Sequence, residues 1–212
     1  MIKTTIGFAL LATTFLSSAA SAFDITTDDL LEKLSNSPNV SWEEVGEDKK
    51  DETDVIAVNL PNDQTKYFRY TYSKPDGYEV ITKPELMLPT ITDPSEQNTY
   101  QTGGVAVNNP AGNKYGDITG KVFANNKVSG KLTGTSSYNN LYILGGAVYN
   151  AGEIGDITAD FINNSLTGIE EGSNSLYLRG GAIYNSDTGT IGNITGNFIG
   201  NYASKGAVYS VR

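Results

Sequence analysis

Apolar residues in this chain come in short runs that alternate with polar ones, broken by glycine, asparagine and proline; the wider spacing of an amphipathic helix is rare. In Ile157-Thr158-Ala159-Asp160-Phe161 and Ile194-Thr195-Gly196-Asn197-Phe198 the apolar and small residues share one parity, as strands facing a core require. The pattern predicts an all-β chain.

Three short words recur in fixed order over residues 102–212. The first is Gly145-Gly146-Ala147-Val148-Tyr149-Asn150. It returns as Gly180-Gly181-Ala182-Ile183-Tyr184, more loosely as Gly103-Gly104-Val105-Ala106-Val107-Asn108, and opens again as Gly206-Ala207-Val208-Tyr209. The second is Gly116-Asp117-Ile118-Thr119, Gly155-Asp156-Ile157-Thr158 and Gly192-Asn193-Ile194-Thr195. The third is Phe123-Ala124-Asn125-Asn126, Phe161-Ile162-Asn163-Asn164 and Phe198-Ile199-Gly200-Asn201. A coil of roughly 25 residues cannot bury an apolar face alone, whereas stacked coils bury a continuous one. A leucine-rich repeat needs a regular leucine lattice, but Leu132, Leu141, Leu144, Leu166, Leu176 and Leu178 all fall outside the words. The expectation is a parallel β-helix of about four coils. Residues 127–144 and 165–179 read as insertions projecting from one corner, where solenoids carry variable binding segments. Ile118 to Phe123 is one residue longer than its two counterparts, which predicts a bulge in the first coil.

Residues 1–22 carry one charge, Lys3, before an apolar run that ends in Ala20-Ser21-Ala22. This is the pattern of a secretory signal peptide, so the chain is expected to be exported to the cell surface, outer membrane or medium. Residues 23–98 differ in texture and read as a small β-rich leader or cap. Thr26 and Thr27 could cap a short helix stopped by Pro38. The charged stretch 43–54 reads as solvated loop and 55–60 as a strand. Residues 66–72 and 78–82, flanking Lys74-Pro75-Asp76-Gly77, read as a β-hairpin. Three prolines mark 84–94 as an extended linker.

Composition removes several chemistries. Cysteine and histidine are absent, which excludes thiol nucleophiles, disulfides, imidazole bases and the usual zinc sites. A net charge of -9 argues against nucleic acid, which requires a concentrated positive face. Asp117 and Asp156 hold equivalent places with Asp160 nearby; they could bridge a cation or serve a polysaccharide-cleaving site. The third equivalent is Asn193, and no base or orienting group accompanies them, so no catalytic, metal or cofactor residue is assigned. The recurring residues have structural expectations instead. Phe123, Phe161 and Phe198 should stack as an interior row, and Asn126, Asn164 and Asn201 should form an amide ladder at a turn. Tyr149, Tyr184 and Tyr209 form a further row, either packed or exposed as a stripe for carbohydrate or protein.

The Gly-Gly-Ala-[Ile/Val] and Phe-x-x-Asn tetrapeptides, repeated after a secretory signal, resemble the passenger domains of bacterial autotransporters, most closely the polymorphic outer-membrane protein type. The matching tetrapeptides are Gly145-Gly146-Ala147-Val148 and Gly180-Gly181-Ala182-Ile183, with Phe123-x-x-Asn126, Phe161-x-x-Asn164 and Phe198-x-x-Asn201. The resemblance implies a right-handed parallel β-helix on the cell surface, often an adhesin, meeting a host or neighbouring-cell protein or glycan through residues 127–144 and 165–179. It also implies a C-terminal membrane β-barrel. The chain stops inside a repeat word, so it reads as a fragment lacking that barrel. The alternative expectation is a secreted polysaccharide lyase or hydrolase on the same scaffold.

Overall fold

The computed structural model describes residues 39–52, 54–60, 64–88, 99–133, 140–171 and 175–208. Over these residues the chain is all-β, with one antiparallel sheet and five parallel ones. The signal peptide at 1–22, the helix expected near Thr26, and Tyr209 lie outside the described residues.

The antiparallel sheet holds β1 (Val40–Val45), β2 (Val55–Leu60) and β3 (Gln64–Tyr72), with β3 in the centre. Two short strands follow, β4 (Glu79–Ile81) and β5 (Leu86–Met87). The chain then makes three passes through one series of parallel sheets. The first pass comprises β6 (Thr99–Gly103), β7 (Val107–Asn109), β8 (Ile118–Ala124) and β9 (Lys127–Leu132). The second comprises β10 (Asn140–Leu144), β11 (Val148–Asn150), β12 (Glu153–Ile154), β13 (Ile157–Ile162) and β14 (Ser165–Glu171). The third comprises β15 (Ser175–Arg179), β16 (Ile183–Asn185), β17 (Thr190–Ile191), β18 (Ile194–Thr195), β19 (Phe198–Ile199) and β20 (Tyr202–Val208). Corresponding strands pair in parallel: β6-β10-β15, β7-β11-β16, β12-β17, β4-β8-β13-β18 with β19 also on β13, and β5-β9-β14-β20.

The true repeat is longer than the expected 25 residues. Equivalent asparagines 109, 150 and 185 are separated by 41 and then 35 residues, and 126, 164 and 201 by 38 and 37. The short estimate came from Gly206-Ala207-Val208, which is not a new copy of the first word. Gly206 lies in β20 opposite Ile169 of β14. The first copy is also displaced by one residue: Val107 pairs with Val148 and Asn109 with Asn150, so the word begins at Gly104. Gly104, Gly145 and Gly180 take φ near +63°, +74° and +72°, the left-handed corner that glycine adopts without steric cost.

Residues 127–144 and 165–179 are not projecting insertions. They supply β9, β10, β14 and β15, whose apolar sides build a core of Val128, Leu132, Leu141, Ile143, Leu166 and Leu176. The leucines outside the words are therefore core residues. The second core, of Ile118, Phe123, Ala147, Val148, Ile154, Ile157, Ala159 and Phe161 among others, lies among β7-β11-β16, β12-β17 and the sheet centred on β13. The expected bulge is present: Thr158 pairs with Thr119 but Ala159 with Lys121, leaving Gly120 unmatched at φ +62°.

The leader differs from its expected form. β3 pairs with β2 and β1, not with residues 78–82; the latter contribute β4, which joins β8 in parallel. Within the charged stretch 43–54, Glu43 and Glu44 belong to β1, and a short 3-10 turn covers Glu47–Lys49. Leu86–Met87 of the expected linker pairs with β9; residues 89–94 lie outside the described residues. The antiparallel sheet packs against the second face of β8, β13 and β19. Val40, Ile56, Val58, Phe68 and Tyr70 meet Val122, Ala124, Ile162 and Ile199 there. That is why β8 and β13 end in continuous apolar runs: both of their faces are covered.

Candidate binding face

The repeat residues hold the passes in register. Phe123, Phe161 and Phe198 stack with ring centroids 5.0 and 4.7 Å apart. Asn126 Nδ2 donates to Asn164 Oδ1 at 2.9 Å, and Asn164 Nδ2 donates to Asn201 Oδ1 at 2.8 Å. The preceding residues, Asn125, Asn163 and Gly200, adopt positive φ, so the third word couples a left-handed turn residue to a ladder asparagine. A second ladder runs through Asn109, Asn150 and Asn185, with amide contacts of 2.7 Å at both steps. Its sequence signal is an asparagine at one fixed offset after each corner glycine.

Asp117 and Asp156 are exposed and serve the same vertical bonding. Asp117 Oδ1 accepts from the Asp156 backbone N–H at 2.9 Å, and Asp156 Oδ1 accepts from the Asn193 N–H at 2.8 Å. The glycine of this word gives the carboxylate room: a Cβ on Gly155 would lie 2.0 Å from Asp117 Oδ1, and one on Gly192 2.3 Å from Asp156 Oδ1. Asp160 is not beside them as an acid partner. It lies buried on the opposite face of β13 from Phe161, bonded to Asn197 and to Tyr72. Among the described residues no group of three or more acidic, histidine or cysteine side chains could hold a metal.

The tyrosines are arranged differently. Tyr149 and Tyr184 stack at 6.0 Å with planes 15° apart. Beside them is a row the words did not reveal: Tyr142 and Tyr177, at 4.5 Å and 11°. Each stands three residues before its Gly-Gly pair, and that shared offset was the available signal. All four rings are part-exposed. Gln101, opposite Tyr142 in the parallel register, donates from Nε2 to Tyr149 Oη at 2.7 Å and so joins the two rows across the glycine corner. Exposed Asn108 pairs with Tyr149, and exposed Arg179 closes β15 two residues after Tyr177. Arg179 makes no ion pair among the described residues, unlike Arg69, which faces Glu43, Glu52 and Asp54. Tyr142, Tyr177 and Arg179 fall inside 127–144 and 165–179, so those segments contribute to this face as strands. Comparison with family models, curated proteins and solved structures returned no match.

Proposed function

We propose that the three passes wind as a right-handed parallel β-helix, and that the protein is a non-catalytic, exported passenger of the autotransporter kind acting in surface structure or adhesion. The observation carrying this reading is that all three words repeat in parallel register. The phenylalanine stack and asparagine ladders therefore continue unbroken from pass to pass. Such a scaffold is extended by repetition and leaves its lateral faces for recognition. The carboxylates that an enzymatic reading would use support backbone amides of the next pass instead.

The test is display. Residues 1–212 fused to an autotransporter β-barrel should reach the cell surface and become accessible to added protease in intact cells. Retention inside the cell would overturn the reading.

A further inference from the structure

The two sheets that carry the tyrosines differ in charge from the rest of the molecule. Strands β6, β7, β10, β11, β15 and β16 contain no aspartate or glutamate, although the chain holds 24 acidic residues and a net charge of -9. Every other sheet carries at least one carboxylate: Glu43 and Glu44 in the antiparallel sheet, Glu153 in β12, Asp160 in β13, Glu170 in β14. What the acid-free sheets show to solvent is phenol and amide: Tyr142, Tyr177, Tyr149 and Tyr184, with Gln101, Asn108 and the half-buried Asn140. Arg179 is the one charge.

We propose that this face binds a neutral glycan. The inference rests on the recognition role proposed above and specifies its ligand. Phenol and amide groups both donate and accept, which matches sugar hydroxyls, and tyrosine gives a rigid amphipathic contact surface. Each ring is held against its neighbour at 4.5 or 6.0 Å, so little rotamer freedom remains to be lost on binding. A polyanionic glycan would meet the repulsion of a molecule of net charge -9, with Arg179 the one cation in the strands of this face to oppose it. A neutral sugar chain meets none. Each row sets two rings one strand spacing apart, about 4.8 Å, so neighbouring units of a sugar chain meet like contacts on the second and third passes, and an amide, Gln101 or Asn108, continues each row on the first.

The full chain is applied to an array of neutral and acidic glycans at low and high salt. The expected result is retention on neutral glycans, unchanged by salt, because no ion pair carries it. Tyr142→Ala and Tyr177→Ala should each weaken that binding at least tenfold, and Tyr177→Phe should weaken it less. Tyr115→Ala, at an exposed site on another part of the surface, should leave it unchanged. Because an alanine in the stack could disturb folding, Gln101→Ala, at an exposed position, provides a second variant and should also weaken binding. Retention only on acidic glycans with loss at high salt, no retention on any glycan, capture of protein ligands alone, or indifference to the tyrosine variants would each overturn the proposal. None of these outcomes alters the display test, so the two readings fail separately.

Discussion

Tyr72 Oη donates to Asp160 Oδ2 at 2.6 Å, across 88 residues of chain. The bond ties the last residue of β3 to the middle of β13. Asp160 is 3 % exposed, and its other oxygen accepts from the backbone and side chain of Asn197 at 2.7 and 3.0 Å. A second bond of the same kind, Tyr70 Oη to Asn163 Oδ1 at 2.6 Å, lies beside it. The antiparallel sheet is therefore a clasp over all three passes, held by an apolar patch that meets β8, β13 and β19 and by polar pins to the second pass.

Removing one pin should loosen the clasp measurably. Tyr72→Phe keeps the ring but leaves a buried carboxylate oxygen without its donor, a loss of about 1–3 kcal/mol. The single tryptophan, Trp42, packs against Tyr70 with ring centroids 5.9 Å apart, so its fluorescence reports docking of the clasp. The expected outcome is a lower urea midpoint by tryptophan emission. An unchanged midpoint would show that the bond contributes nothing net.

The same contact predicts a response to alkali. Burial first, then the hydrogen bond to Asp160 and its charge, raises the Tyr72 hydroxyl above its ordinary 10.0. Burial also raises Tyr70. A group whose folded value lies above its unfolded one stabilises fully below the unfolded value and loses that contribution as pH rises beyond it. The urea midpoint should therefore stay level from neutrality to about pH 9 and fall above pH 10. In the Tyr70→Phe/Tyr72→Phe double variant the fall should be shallower; an equal fall would assign it to other groups.

Much of the scaffold was legible because its residues repeat. The parity of Ile157, Ala159 and Phe161 located a core face, and the extra residue between Ile118 and Phe123 located a bulge before any register was known. Residues 127–144 read as an insertion because the stretches from Asn126 to Gly145 and from Asn164 to Gly180 differ in length; that difference hides the register that pairs Leu141-Tyr142-Ile143 with Leu176-Tyr177-Leu178, although both stand at one spacing before their Gly-Gly pairs. The hairpin failed for a related reason. Pro75 to Gly77 is a genuine turn chemically, with Tyr78 N–H bonded to Pro75 O at 3.2 Å. A turn fixes local direction, however, and cannot fix the partner of a following strand. Val80 pairs with Val122, a partner set by tertiary context. The tyrosine face was half visible, since Tyr149 and Tyr184 sit in a word and Tyr142 and Tyr177 do not.

The buried ladder should tolerate little change. Asn164 is fully buried. Its Nδ2 donates to Phe123 O at 2.8 Å, and its Oδ1 accepts from Asn126 N at 3.0 Å and Nδ2 at 2.9 Å. Asn164→Ala strands several of these groups without water, at a cost of roughly 3 kcal/mol or more. Asn201, part-exposed on the third pass, should cost less when changed to alanine. Equal urea midpoints for the two variants would contradict the ladder's graded burial.

The glycines of the first two words should fail differently, although each admits no Cβ. On Gly146 the added carbon would lie 2.0 Å from the backbone oxygen of Gly181 in the next pass. Only a displaced strand could relieve that, so Gly146→Ala should destabilise by about 3 kcal/mol, the upper end of the usual cost of overpacking. On Gly155 the clash at 2.0 Å is with Asp117 Oδ1, the end of an exposed side chain that can rotate away. The loss there is one exposed hydrogen bond to Asp156 N–H and some strain, about 1 kcal/mol. Asp117→Ala removes the same bond and the obstacle together. The Gly155→Ala/Asp117→Ala double variant should therefore be no less stable than Gly155→Ala alone, giving a double-mutant cycle with positive coupling. Strictly additive losses in urea would show that the carboxylate does not occupy the space over Gly155 in solution.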